Sequence, residues 1–304
     1  MTSPGNPSNS LDRLMFSGVV ACFVLSGFAA LLYQTAWMRQ FSLVFGTSEL
    51  AVAAVLSAYM GGLATGAAVA ARWVGRVQRP VLVYGILEAG IALTALAVPW
   101  LLQGIHALYV SVFGGQPEPV DASGLGQSVF YLAAAFIVLM LPTSFMGATL
   151  PLLTKYAVHS DEQVGPRVGI LYATNTLGAV GGTVVAGFLL LPALGLLGTV
   201  YVGIGINLLV FVIAAMLART AAAVPDSSAT DALDIELTAQ TGFARRRLIL
   251  PLMLLSGANA FVYEVLWTRL LGHVLGGSVA AFATMLASFL AGITLGSAIA
   301  SRFA

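Results

Sequence analysis

Ser128–Leu153 reads SVFYLAAAFIVLMLPTSFMGATLPLL, 26 residues without a charge. A helix needs about 20 mostly apolar residues to cross a hydrocarbon core of ~30 Å, whereas a barrel strand alternates over ~10. Within the quoted stretch, Ala133–Leu141 is apolar at every position, and Ala51–Met60 is nearly so. Neither alternates, so both predict membrane-crossing helices. Seven further stretches meet the same length: about 14–34, 50–71, 81–102, 168–191, 197–218, 248–270 and 279–301. The expected fold class is therefore all-α, a polytopic membrane bundle of eight transmembrane helices.

Composition agrees. Hydrophobic residues make up 59% of the 304 and charged ones 8%, where a soluble domain carries roughly 25%. A net charge of +1 offers no basic surface for nucleic acid, and the bilayer is the expected partner. The lone Cys22 excludes an internal disulfide framework and any multi-cysteine metal site. His106, His159 and His273 lack a second ligand at helical spacing, so no metal is expected.

Basic residues set the orientation. Arg13 precedes the first span, and Arg72, Arg76 and Arg79 lie between the second and third. Lys155 and Arg167 separate the fourth and fifth, while Arg219 and Arg245–Arg247 flank the linker before the seventh. The alternate connections hold almost none: 103–127 carries Glu118 and Asp121, Pro192–Leu196 is uncharged, and only Arg39 breaks the pattern. The positive-inside rule puts the N-terminus in the cytoplasm, with the chain in the inner (cytoplasmic) membrane. The expected organisation is a cytoplasmic stub (1–13), a six-helix bundle (14–218), a cytoplasmic linker (219–247) and two further helices (248–304).

Residues 26–74 align without a gap on 256–304, at an offset of 230 and with 17 identities in 49 positions. Tyr33, Trp37 and Arg39 match Tyr263, Trp267 and Arg269; Gly62, Gly66 and Arg72 match Gly292, Gly296 and Arg302. Apolar bias alone would not put Tyr, Trp, Arg and glycines in register. The second copy begins six spans after the first, an even number, so both start on the same side. That is a parallel repeat of the kind relating the halves of major facilitators. The second half is incomplete, so the chain is expected to be part of a longer protein, the alternative being an eight-helix abridgement.

Ser26–Arg39 (SGFAALLYQTAWMR), Phe45–Gly66, Leu141–Leu153 (LPTSFMGATLPLL), Leu171–Thr199 and Ser256–Gly296 carry a resemblance. They resemble the membrane portion of the fused major-facilitator/spermidine synthase family, over about residues 20–304. The resemblance implies a major-facilitator-like bundle followed by a polyamine-synthase-like catalytic domain. It also implies a function in transporting or presenting a polyamine or related cationic metabolite. Decarboxylated S-adenosylmethionine is implied as a cofactor only if that C-terminal domain exists. A passive anchor for the domain, or a stand-alone secondary transporter, are the competing readings. The nearest glycine pattern here, Gly203-Ile204-Gly205, lies inside an apolar span and reads as helix packing, not as a nucleotide loop. No catalytic motif is expected within these residues.

Polar residues inside spans are the candidate substrate contacts. Glu88 sits mid-span, where a carboxylate costs about 2.5–3.5 kcal/mol on insertion scales and must find a partner. It is either a cation or proton site, or a hydrogen-bonded group joining helices. Glu264 and its repeat counterpart Gln34 form a pseudo-symmetric polar pair, with Arg39 or Arg269 as the expected structural partner of Glu264. Asn175 is the better substrate candidate of the two intramembrane asparagines, the other being Asn207. Tyr33 and Tyr263 are candidates for stacking on a cation, although core packing is expected of both. Trp37 and Trp267 read as interfacial belt anchors. Gly62, Gly66, Gly178, Gly182, Gly292 and Gly296, at four-residue spacing, read as helix-packing positions.

Overall fold

A computed structural model describes residues 7–45, 49–113, 125–158, 161–220, 231–276 and 279–300. The Gly46 connection, residues 114–124, His159 and Arg302 lie outside the described residues. The eight α-helices are α1 (Pro7–Phe45), α2 (Glu49–Trp73), α3 (Pro80–Phe113), α4 (Leu125–Ala157), α5 (Asp161–Val185), α6 (Leu191–Thr220), α7 (Asp231–Leu275) and α8 (Val279–Ala300). A short 3-10 turn, Val74–Arg76, follows α2, and a π-helical turn, Ala186–Leu190, joins α5 to α6.

Among the described residues, seven runs are long and apolar enough to cross a membrane, against the eight expected. The difference lies in Gly165–Thr220, a single run of 56 residues. A straight helix of that length would measure about 84 Å. Gly195 interrupts it, with φ 68° and ψ −171°, a conformation that is essentially glycine's alone.

The helix registers follow from close contacts. Asn175, Gly178 and Gly182 of α5 face Phe23, Val24 and Phe28 of α1 in ascending order, so these two helices run parallel. Gly18 meets Leu217 while Tyr33 meets Gly203 and Asn207, so α6 runs antiparallel to α1. Gly62 and Gly66 of α2 press on Thr143 and Ser144 of α4, whose Gly147 meets the Leu63 carbonyl. Those two helices also run parallel. A methyl group at Gly62, Gly66, Gly178 or Gly182 would overlap the facing helix, which is the close approach their spacing predicts. Gly292 and Gly296 meet nothing within 4 Å, so packing does not extend to them among the described residues.

Two apolar cores result. One gathers Val19, Phe23, Val81, Leu153, Leu171 and Val210; the larger gathers Leu32, Phe41, Leu56, Ile91, Leu139 and Leu286. Near the first core lies the basic end of the bundle. Lys155 there donates to the Gly75 carbonyl at 2.5 Å, and Arg167 donates to the Ala157 carbonyl while lying 5.4 Å from the Phe16 ring centre.

The expected 219–247 linker is in part helical, while the membrane-length run of α7 starts at Ile249. α6 continues to Thr220 and α7 already begins at Asp231. The reason is composition: Asp231–Arg247 is rich in Ala, Leu, Glu, Gln and Arg, which favour helix despite their polarity.

Candidate functional site

Between the two apolar cores lies a polar layer built by three helices. α1 contributes Ser26 and Tyr33, α3 contributes Glu88, and α6 contributes Asn207. The Ser26 hydroxyl donates to Glu88 Oε1 at 2.5 Å, and the Asn207 amide donates to Oε2 at 2.5 Å. The Tyr33 hydroxyl in turn donates to Asn207 Oδ1 at 2.8 Å. Tyr84, one turn before Glu88, is close enough to the carboxylate to interact with it, but its hydroxyl lacks a hydrogen bond of regular geometry. All of these side chains are buried, Glu88 completely (0% exposed). Both donors to Glu88 are neutral, so the carboxylate is held by hydrogen bonds and not by an ion pair. Each hydrogen bond to a charged group of this kind contributes ~1.5–3 kcal/mol against the penalty of leaving it bare. The layer therefore locks α1, α3 and α6 together and offers no open face to a ligand.

A second site lies at the other end of the bundle. There a cleft of about 420 Å³ runs between α1 and α2 on one side and α7 and α8 on the other. Arg39, Thr35 and Ser42 line it from α1, and Arg269, Thr268 and His273 from α7. Arg39 and Arg269 are repeat counterparts, so each copy brings one guanidinium to the same cleft. Phe282 and Ala281 of α8 form its apolar floor together with Met38 and Val52. Among the described residues lining it, none is acidic.

Beside the cleft, Glu264 and Gln34 are both buried, at 3% and 2% exposure. Glu264 Oε1 and Gln34 Nε2 have no hydrogen-bond partner, and the same holds for Trp37 Nε1 and Gln40 Oε1. At this turn the Thr268 hydroxyl donates to the Glu264 carbonyl at 2.7 Å. Buried polar atoms without partners are costly, and their concentration on α1 and α7 next to the cleft marks this interface as the polar end of the core. Three of these four atoms belong to residues the repeat had singled out. Gln40 was missed, since it has no polar counterpart at Leu270.

Several expectations need correction. Trp37 is not a belt anchor: it is fully buried, stacked on Tyr33 with ring centres 5.0 Å apart and planes 13° off parallel. Its face of α1 is covered by protein, whereas Trp267 on α7 is 55% exposed. Tyr263 does not pack in the core; it is 49% exposed, because the covered face of α7 is the one carrying Glu264. Asn175, expected to pack between helices if it does not touch substrate, does not line the cleft. Its amide donates to the Phe23 carbonyl at 3.0 Å, tying α5 to α1 away from the cleft.

Among the described residues no group of three or more His, Cys, Asp or Glu gathers as a metal site. Gly203 packs its backbone against the Tyr33 ring in the middle of α6, so the Gly203–Gly205 pair has no geometry for holding a nucleotide. What the described residues present is a helical bundle with seven membrane-length runs, a sealed polar layer and a cationic cleft; no protein-family model, no curated protein and no solved structure matches the chain.

Proposed function

We propose that this chain is the membrane portion of a solute carrier of the major-facilitator type, with its substrate site in the cleft between α1–α2 and α7–α8. The observation that carries the reading is that two repeat-related arginines, Arg39 and Arg269, line that one cleft. Carriers built from parallel repeats bind their solutes at the seam between copies. The cleft also falls within the 300–1,000 Å³ range usual for small-molecule sites.

Eight spans fit this reading better than seven. α5 and α6 both lie along α1 in opposite senses, so the chain reverses near Gly195 and each of the two counts as a crossing. The basic residues at the Lys155–Arg167 end support a cytoplasmic N-terminus and an outward-facing cleft. The fused polyamine-synthase family stays the proposal at family level, supported by the motifs between Ser26 and Gly296. A polyamine is a poor fit to this cleft, because its lining carries guanidinium groups and Glu88 is sealed in the polar layer. A passive anchor requires no cleft of either sign.

Solute counterflow in vesicles holding the full-length protein tests the reading. Labelled spermidine, succinate and inorganic phosphate would each be offered in turn. Saturable counterflow of any one supports a carrier; none, with protein folded and correctly inserted, leaves a passive anchor.

A further inference from the structure

We infer that the cleft is an oxyanion site, taking a small solute that carries a carboxylate or phosphate group, with Arg39 and Arg269 as its two anchoring residues. The inference rests on the carrier reading of the same cleft and adds the substrate class. A guanidinium presents a planar fork of donors that matches a carboxylate or phosphate in bidentate fashion. Two forks at one cleft suit a solute with two anionic oxygens or groups. Thr35, Ser42 and Thr268 line the cleft with hydroxyls that donate to the Leu31, Arg39 and Glu264 carbonyls, so the two guanidinium groups carry the anchoring, and His273 lies near the end of α7.

Topology supplies an independent argument. Arg39 and Arg269 lie at the bundle end opposite Lys155 and Arg167, the end that the distribution of basic residues otherwise leaves almost empty. Both equivalent repeat positions thus carry an arginine that lines the same cleft. The unpartnered Gln34 Nε2 and Trp37 Nε1 are buried on the same stretch of α1 as Thr35 and Arg39. Neither lines the cleft itself, so contact with the solute falls to the two arginines.

The test is binding to the purified full-length protein in phosphatidylcholine vesicles, with labelled succinate and inorganic phosphate as separate probes. Saturable binding of at least one is expected. Arg39→Gln and Arg269→Gln should each weaken it about tenfold or more, since each removes a charged donor pair. Arg219→Gln, at the opposite end, should leave affinity unchanged. Arg39→Lys and Arg269→Lys keep the charge but lose the fork, and should bind measurably but more weakly than the parent. They also keep the test decisive if a Gln variant fails to fold. Saturation with neither probe, or saturation that survives both Gln substitutions, overturns the inference. Retention of labelled phosphatidylglycerol with no binding of the soluble probes overturns it too, by assigning the arginines to a lipid headgroup. Binding without counterflow supports the anion site and removes the carrier reading; counterflow of spermidine without anion binding does the reverse.

Discussion

The Asn207 amide donates to Glu88 at 2.5 Å while its oxygen accepts the Tyr33 hydroxyl at 2.8 Å, so one side chain of α6 fixes both the carboxylate of α3 and the tyrosine of α1. This relay dictates how Glu88 tolerates change. In Glu88→Gln the remaining oxygen can still accept from Asn207, and the new amide can donate to Ser26, whose hydroxyl also accepts. The variant should therefore unfold within about 1 kcal/mol of the parent. Glu88→Leu strands the Ser26 and Asn207 donors in the core and should cost about 2–4 kcal/mol. Thermal unfolding in detergent measures both. Equal losses for Gln and Leu would mean that the carboxylate charge, and not its hydrogen bonding, is what the layer requires.

The spans were legible because hydropathy depends on residue type alone. Ser128–Leu153 could be nothing but a buried or membrane helix whatever its neighbours. The correspondence between 26–74 and 256–304 stands in the sequence for a related reason, since register survives in polar and glycine positions such as Arg39 and Arg269. Which face of a helix meets protein was not legible. Trp37 and Trp267 occupy equivalent positions, yet one is enclosed and the other 55% exposed, because different neighbours cover the two helices. The Glu88 layer was equally hidden. Its partners lie 62 and 119 residues away, and no local spacing links Ser26, Glu88 and Asn207.

The glycines divide into two groups that should respond oppositely. Gly178→Val and Gly182→Val drive a side chain into the carbonyls of Val24 and Phe28, where backbone cannot yield. Each should cost about 1–3 kcal/mol or more and lower the yield of monodisperse protein. Gly205→Ala and Gly292→Ala meet nothing within 4 Å and should be neutral or slightly stabilising within a helix. Gly195→Ala is a third case: it also meets nothing within 4 Å, but its φ of 68° penalises any side chain. A loss of about 1–3 kcal/mol is expected there from backbone strain alone. Size-exclusion profiles and unfolding midpoints for the five variants separate steric overlap from strain. A neutral Gly195→Ala would mean that α5 and α6 form one continuous helix, and the eighth span would go with it.

Orientation can be read chemically because the chain has one cysteine and it is buried: Cys22 is 1% exposed. Cys22→Ala gives a background on which single cysteines report their side of the membrane. Asp121→Cys lies in the connection without basic residues, and Ser228→Cys in the one bounded by Arg219 and Arg245. The positive-inside rule requires Asp121→Cys to react with an impermeant maleimide in intact cells and Ser228→Cys to react only after lysis. A third position adds the cleft. Ser42→Cys lines it near Arg39 and should label from the same side as Asp121→Cys. The first and third spans of a bundle both rise from the cytoplasmic side, so their far ends must agree. Labelling of Ser228→Cys from outside would invert the topology and turn the arginine cleft toward the cytoplasm. Opposite labelling of Ser42→Cys and Asp121→Cys would break the span count between them, since α1 and α3 could then no longer cross in the same direction.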